Sequence, residues 1–311
     1  MPEPTPAPHS APPRGTAPEP PLPAPALGEV LEVLQDLHPE RWAQPWDAVG
    51  LVCGDPARTV RRVLLAVDPV EAVVDEALDA GADLLLVHHP LLLRPVSSVA
   101  ATTAKGRVVH RLVEAGCALY VAHTNADAAA PGVSDALARV LDLDGLVPLE
   151  PLAAEPDRPE LGIGRVGTLP APERLADFAD RVAQALPATE QGVRVAGDPD
   201  ALVQRVAVCG GSGDSLFAQV RASGADVYVT ADLRHHPASE ARESAASGAG
   251  SGAAGTPHLV DVAHWASEWP WLAGCADRLV TALAARGRTV DAHVSTTRTD
   301  PWALRVPSRG E

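Results

Sequence analysis

Lysine is almost missing from this chain. Among 25 Lys and Arg residues in 311, Lys105 is the one lysine, and they face 40 Asp and Glu for a net charge of -15. No basic cluster exists that would release counterions from a phosphate backbone, so duplex nucleic acid is not an expected partner. Aromatic residues make up 3% of the chain, which leaves Ala, Val and Leu to fill any core. The four cysteines (Cys53, Cys117, Cys209 and Cys275) form no C-x-x-C pair. That spacing argues against a disulfide framework and against a thiolate zinc site. Cys117 and Cys209 sit in or beside apolar runs and read as inert buried thiols. A reducing, cytoplasmic compartment is expected. No run of 18 apolar residues occurs, so no membrane helix is expected. The start lacks the basic residues and apolar stretch of a signal peptide. Instead, prolines crowd residues 1–25, which read as a disordered or polyproline-like arm.

What remains is globular material, 46% apolar and long enough for two domains. Leu27, Val30, Leu31 and Leu34 fall at helical spacing, and Pro39 closes that helix. Val63–Val67 reads as a strand. Val70, Val73, Val74, Ala77 and Leu78 make one helical stripe that ends at Gly81. Leu84–Val87 is fully apolar and reads as a buried parallel strand. A helix over 104–115, a strand over 118–121 and a helix over 133–141 follow. Strands alternating with helices predict an α/β fold with mostly parallel or mixed sheets. Residues 148–160, rich in Pro and Glu, read as a linker. Beyond them a strand is expected over 161–169 and a helix over 172–186 with an early proline. Residues 244–256 are nearly all Gly, Ala and Ser and read as a flexible insertion. A last helix is expected over 271–286, with the tail beyond Arg288 pairing at a sheet edge or fraying.

The chain also repeats itself. Arg62-Val63 precedes Gly81-Ala82-Asp83 by the same gap that separates Arg205-Val206 from Gly224-Ala225-Asp226. Val121-Ala122-His123 returns as Val262-Ala263-His264. Two related α/β lobes are therefore expected, over 26–147 and 161–311.

Chemistry-bearing residues gather at the predicted strand ends. His88-His89-Pro90 follows the buried strand directly, where ligands bind in parallel α/β sheets. His123 follows a strand with Asp127 four residues on; His264 follows a strand with Glu268 four residues on. If each segment turns into helix, imidazole and carboxylate share a face. Singly these patterns carry little weight; in matching halves they predict one site between the lobes. Four imidazoles and two carboxylates without thiolate suit zinc, iron, manganese, cobalt or nickel and not calcium. Six ligands exceed one tetrahedral ion and predict two divalent transition-metal ions per chain, with Asp127 and Glu268 as candidate bridges. Thr230, Asp232, His235 and His236 follow another strand; Thr230, Asp232 and His236 are candidates to support ligands or touch substrate, as are Gly211 and Ser212 of the Gly210-Gly211-Ser212-Gly213 loop. That loop reads equally as an anion cradle or as a tight turn. His38, His110, His258 and His293 read as structural.

These elements together resemble the dinuclear-metal-centre, Nif3-like family of GTP cyclohydrolase I type 2 homologues. The resemblance is carried by Trp46-Asp47-Ala48-Val49-Gly50-Leu51, Gly81-Ala82-Asp83, His88-His89-Pro90, His123-Thr124-Asn125-Ala126-Asp127, Gly210-Gly211-Ser212-Gly213, Thr230-Ala231-Asp232 and His264-Trp265-Ala266-Ser267-Glu268. It covers the chain from Ala26 to the last helix. It implies His88, His89, His123, Asp127, His264 and Glu268 as metal ligands and a homohexameric ring. Ala48, Ala231 and Ala263 depart from the family's usual Asn, Gly and Gly. The expected function is a metal-dependent hydrolase acting on a nucleotide, pterin precursor or phosphoester. The alternative is a non-catalytic metal-holding ring or a scaffold for protein partners.

Overall fold

A computed structural model describes Met1, residues 22–247 and residues 255–307. Most of the Pro-rich arm and residues 248–254 of the Gly/Ala/Ser insertion lie outside the described residues. Among the described residues no helix is long and apolar enough to cross a membrane.

The first half runs α1 (Leu27–Leu37), β1 (Gly50–Cys53), β2 (Arg62–Ala66), α2 (Glu71–Asp79), β3 (Leu84–Val87), α3 (Ala104–Ala115), β4 (Ala118–Val121), α4 (Thr124–Ala128) and α5 (Val133–Val140). The second runs β5 (Asp144–Pro151), β6 (Gly162–Arg174), α6 (Leu175–Ala185), β7 (Arg194–Ala196), β8 (Leu202–Ser212), α7 (Phe217–Ser223), β9 (Val227–Ala231), α8 (His235–Ala246), β10 (His258–Val262), α9 (His264–Glu268), α10 (Trp271–Ala285) and β11 (Asp291–Val294). Two mixed sheets result, ordered β1-β4-β3-β2-β11 and β5-β6-β8-β9-β10-β7. In the first, β4, β3, β2 and β11 are parallel; in the second, β8, β9 and β10 are. The tail beyond Arg288 therefore pairs: β11 returns to the first sheet beside β2.

The repeat has a physical basis. Asp83 Oδ2 accepts the backbone N–H groups of Arg61 and Arg62 at 2.7 and 3.0 Å. Asp226 Oδ2 does the same for Arg205 and Gln204 at 2.7 and 2.9 Å. In each half the Gly-Ala-Asp turn thus pins the preceding strand, at its start in β2 and near its start in β8. The glycines that open these turns, Gly81 and Gly224, sit at φ 64 and 69, where an L side chain is strained.

Alternate residues of the strands feed different cores, as a period of two requires. Leu85, Val87, Leu119 and Val121 face α2 and α3. Leu84, Leu86 and Tyr120 face inward, joined with Val206, Val208, Val227 and Val229 of the second sheet and with α1, α5, α6 and α10 in one continuous core. Arg165 of β6, 1% exposed, crosses this junction to Asp135 of α5 at 2.8 Å. Its remaining N–H groups donate to the carbonyls of Gly162, Gly164 and Ala129, so the buried charge is fully bonded.

Two expectations are corrected. Residues 148–151 are not linker but part of edge strand β5, paired with β6; an edge tolerates Pro148 and Pro151 because no inner neighbour needs their missing N–H. Pro172 does not open a helix. It lies in β6 where pairing with β8 shifts between Thr168 and Glu173, and α6 begins at Leu175. An irregular ladder can spare the donor that proline lacks.

His38 follows α1 and is fully buried. Its Nε2 accepts from Arg278 at 2.9 Å while Nδ1 has no partner. Burial and the nearby Arg278 charge push its pKa down from 6.5 to about 3. Between these values the unfolded chain holds a proton that the folded one does not, so stability is lost as pH falls below about 6.5. Going from pH 7 to pH 5 is expected to cost about 2 kcal/mol through this residue. Urea unfolding of wild type and His38→Gln at both pH values checks this; equal pH slopes would refute it.

Candidate metal centre

Parallel register sets the site. Val87 of β3 pairs with Val121 of β4, so His88, His89 and His123 leave the first sheet at one level. Val262 of β10 pairs with Ala231 of β9, so His264 and Asp232 leave the second sheet together. Both chains turn at once into short helices. In α9 the i, i+4 spacing brings Glu268 back under His264, whose Nε2 lies 3.0 Å from Glu268 Oε1; His123 caps α4 from outside the helix, and Asp127 approaches His88 Nε2 at 3.8 Å. Ala263, where the family usually has Gly, takes φ -71, which asks nothing special of the backbone.

Every imidazole is held from outside through Nδ1. His88 Nδ1 donates to the Ala122 carbonyl at 2.9 Å, His89 to Asp68 at 2.7 Å, His123 to Asp47 at 2.9 Å and His264 to Asp232 at 2.6 Å. Because a carbonyl only accepts, His88 Nδ1 carries a proton, and Nε2 is the ring nitrogen turned to the cluster. That Nε2 is buried without a hydrogen-bond partner. It lies 3.5 Å from Glu268 Oε1 and 3.8 Å from Asp127 Oδ1. His89 Nε2 lies 3.1 Å from Glu268 Oε2 and 3.2 Å from His264 Nε2. Two nitrogens bound tetrahedrally to one ion at ~2.0–2.1 Å stand about 3.3 Å apart. Two overlapping groups could therefore hold an ion: His88, His89 and His123, and His89, His264 and Glu268.

The electrostatics ask for positive charge. Burial alone would pull His89 and His264 down, but the Glu268 charge and hydrogen bonds to Asp68, Asp232 and Glu268 raise them to about 11 and about 10. Burial likewise pulls on His88, and Glu268 again wins, lifting it above its ordinary value. Glu268 itself, against burial, is held well below the carboxylate range by His89, His264 and His88. Asp127 is raised by burial, which the charges of His88 and His123 only partly offset. The cluster thus retains cations, and any bound metal must displace these protons.

Gly211 gives the cluster room. At φ 69, a Cβ there would stand 2.4 Å from Glu268 Oε1 and 3.0 Å from His264 Nε2. Gly211 N–H donates to Ser267 Oγ at 2.8 Å, and Gly210 N–H to Ser134 Oγ at 3.3 Å. These donors are engaged, and residues 210–212 end β8 where its pairing with β9 shifts, so the segment is a bulged strand end and not an anion cradle. Thr230 donates to the Gly211 carbonyl at 2.9 Å and so fixes that bulge. Ser212 and His236 are exposed; His236 packs edge-on to His235, and neither joins the six. Asp47 and Asp68 went unassigned in the sequence. A carboxylate directly after the β2 strand was the available signal for Asp68.

Residues 25–301 match the family model described as Duf34/NIF3 (NGG1p interacting factor 3). A Streptomyces coelicolor protein named GTP cyclohydrolase 1 type 2 homolog is 53% identical over 284 residues, spanning 91% of this chain and 96% of that protein. A Mycobacterium tuberculosis protein of the same name is 39% identical, spanning 89% and 97%. Among solved structures, a Bacillus cereus protein related to NIF3 aligns with TM-score 0.81 at 25% identity, covering 91% of this chain and 100% of that one.

Proposed function

The chain belongs to the Duf34/NIF3 family, and from that premise we propose that it is a dinuclear metal-binding protein that hydrolyses a nucleotide or another phosphoester. The observation that carries this reading is the orphaned, buried Nε2 of His88 in a cluster whose other imidazoles are aimed by carboxylates. In this reading His89, His264 and Glu268 would hold one ion, and His88, His123 and Asp127 the other. Glu268 would serve both, since its two oxygens approach nitrogens of His88, His89 and His264. The donor set of imidazole and carboxylate suits zinc, iron, manganese, cobalt or nickel. When bound, a pair of divalent ions supplies Lewis acidity that activates water and neutralises developing charge.

The protein's own part is orientation. Asp68, Asp47 and Asp232 hold three rings through Nδ1, which leaves each Nε2 as the atom that would bind a metal. The Asp127 side chain is 18% exposed against 4% for Glu268. Asp127 is therefore the more exposed of the two carboxylates and would complete the ligands of the second ion.

Elemental analysis of purified protein is expected to find about two transition-metal ions per chain, falling towards one in Asp127→Ala. Zinc-, manganese- or iron-loaded protein is then assayed on GTP and on bis(p-nitrophenyl) phosphate. Turnover that disappears in His123→Ala supports the hydrolase. Absence of turnover with every metal, or turnover that survives His123→Ala, overturns it in favour of a metal-holding protein.

A further inference from the structure

The family match ends at residue 301, but the described chain continues to residue 307 alongside the cluster. This tail has no regular structure and is held by side chains. Ser295 and Thr297 hydroxyls both donate to Glu76 Oε2, at 2.6 and 2.7 Å. Arg298 pairs with Glu190 at 3.5 Å. The Thr299 hydroxyl donates to Asp68 Oδ2, and the other oxygen of that carboxylate holds His89 Nδ1.

Past this anchor, Trp302 and Arg305 reach a cavity of about 570 Å³ whose other walls include Gln191, Arg194 and Asp232. Asp232 is the carboxylate that holds His264, so the cavity borders the cluster. Its volume suits a small molecule. Trp302 is 62% exposed, leaving a ring face uncovered beside the cavity. Arg194 is neutralised by Asp261, whereas Arg305 has no anionic partner among the described residues. An uncovered indole stacks a flat ring, and an unpaired guanidinium binds an anion.

We propose that Trp302 and Arg305 form a specificity wall that selects a flat heteroaromatic ring carrying an anionic group. Trp302 stacks the ring, and Arg305 holds the anion. The wall's role in a reaction rests on the reading of the cluster as the reacting centre; its role in binding does not.

Calorimetry on the full, metal-loaded chain tests it with adenosine 5′-monophosphate, ribose 5-phosphate and inorganic phosphate. The monophosphate is expected to bind roughly tenfold or more tightly than ribose 5-phosphate, as ring stacking contributes. Trp302→Ala should erase that difference and Trp302→Phe keep most of it. Arg305→Ala should weaken both phosphosugars alike. Equal affinity for the first two probes, or variants that bind as wild type does, overturns the wall. Metal content is measured in every variant. Ring-dependent binding by a chain without metal would uphold the wall while removing the cluster's metal reading.

Discussion

The Glu268→Gln chain is expected to bind zinc or manganese more than ~100-fold less tightly than wild type, beyond the ~10–100-fold that losing an outer partner costs. Glutamine keeps the shape and removes the charge. Glu268 is 3% exposed, and its oxygens lie within 3.0 to 3.5 Å of nitrogens on His264, His89 and His88. No other carboxylate among the described residues approaches all three. The metal-free protein should suffer too. Its raised imidazoles depend on the Glu268 charge, and removing one partner of a buried ionic group costs about 3–5 kcal/mol. Competition with a chromogenic chelator reads the affinity; urea unfolding in excess chelator reads the stability. Wild-type affinity in Glu268→Gln would rule this carboxylate out as a ligand.

Gly211→Ala is expected to lose both stability and metal, and a second glycine separates the two causes. Gly211 and Gly224 share φ 69, so alanine at either costs about 1–2 kcal/mol in backbone strain. At Gly224 the new Cβ meets nothing within 4 Å, whereas at Gly211 it meets Glu268 Oε1 at 2.4 Å. Glu268 is enclosed by packed groups, so it cannot yield without leaving His264. Gly224→Ala should therefore bind metal as wild type does at lower stability. Gly211→Ala should fall further in urea and lose metal affinity by ~10-fold or more, as for a displaced supporting group. Equal metal affinity in the two variants would mean that the bulge does not set the carboxylate.

Much of this was legible in the sequence because it is local. Spacing of four residues after a strand predicted that His123 and Asp127, and His264 and Glu268, would share helix faces; α9 places His264 and Glu268 on one face, whereas His123 caps α4 from outside the helix. The fully apolar run before His88 predicted a buried strand, and burial on both faces of β3 is what that composition requires. The repeated Gly-Ala-Asp marked the two halves, since the same carboxylate pins the preceding strand in each. Tertiary structure alone decided the rest. The Nδ1 partners of His89 and His123 come from 21 and 76 residues away, and strand register, not spacing, brings them in. The inward faces of both sheets close on one core, and β11 crosses back to the first sheet. Thr230, a candidate supporting residue in the sequence, donates its hydroxyl to the carbonyl of Gly211, which abuts Glu268. Local periodicity states which residues leave a strand end. Only packing of the two sheets determines which of those ends meet, and therefore which carboxylate faces which imidazole.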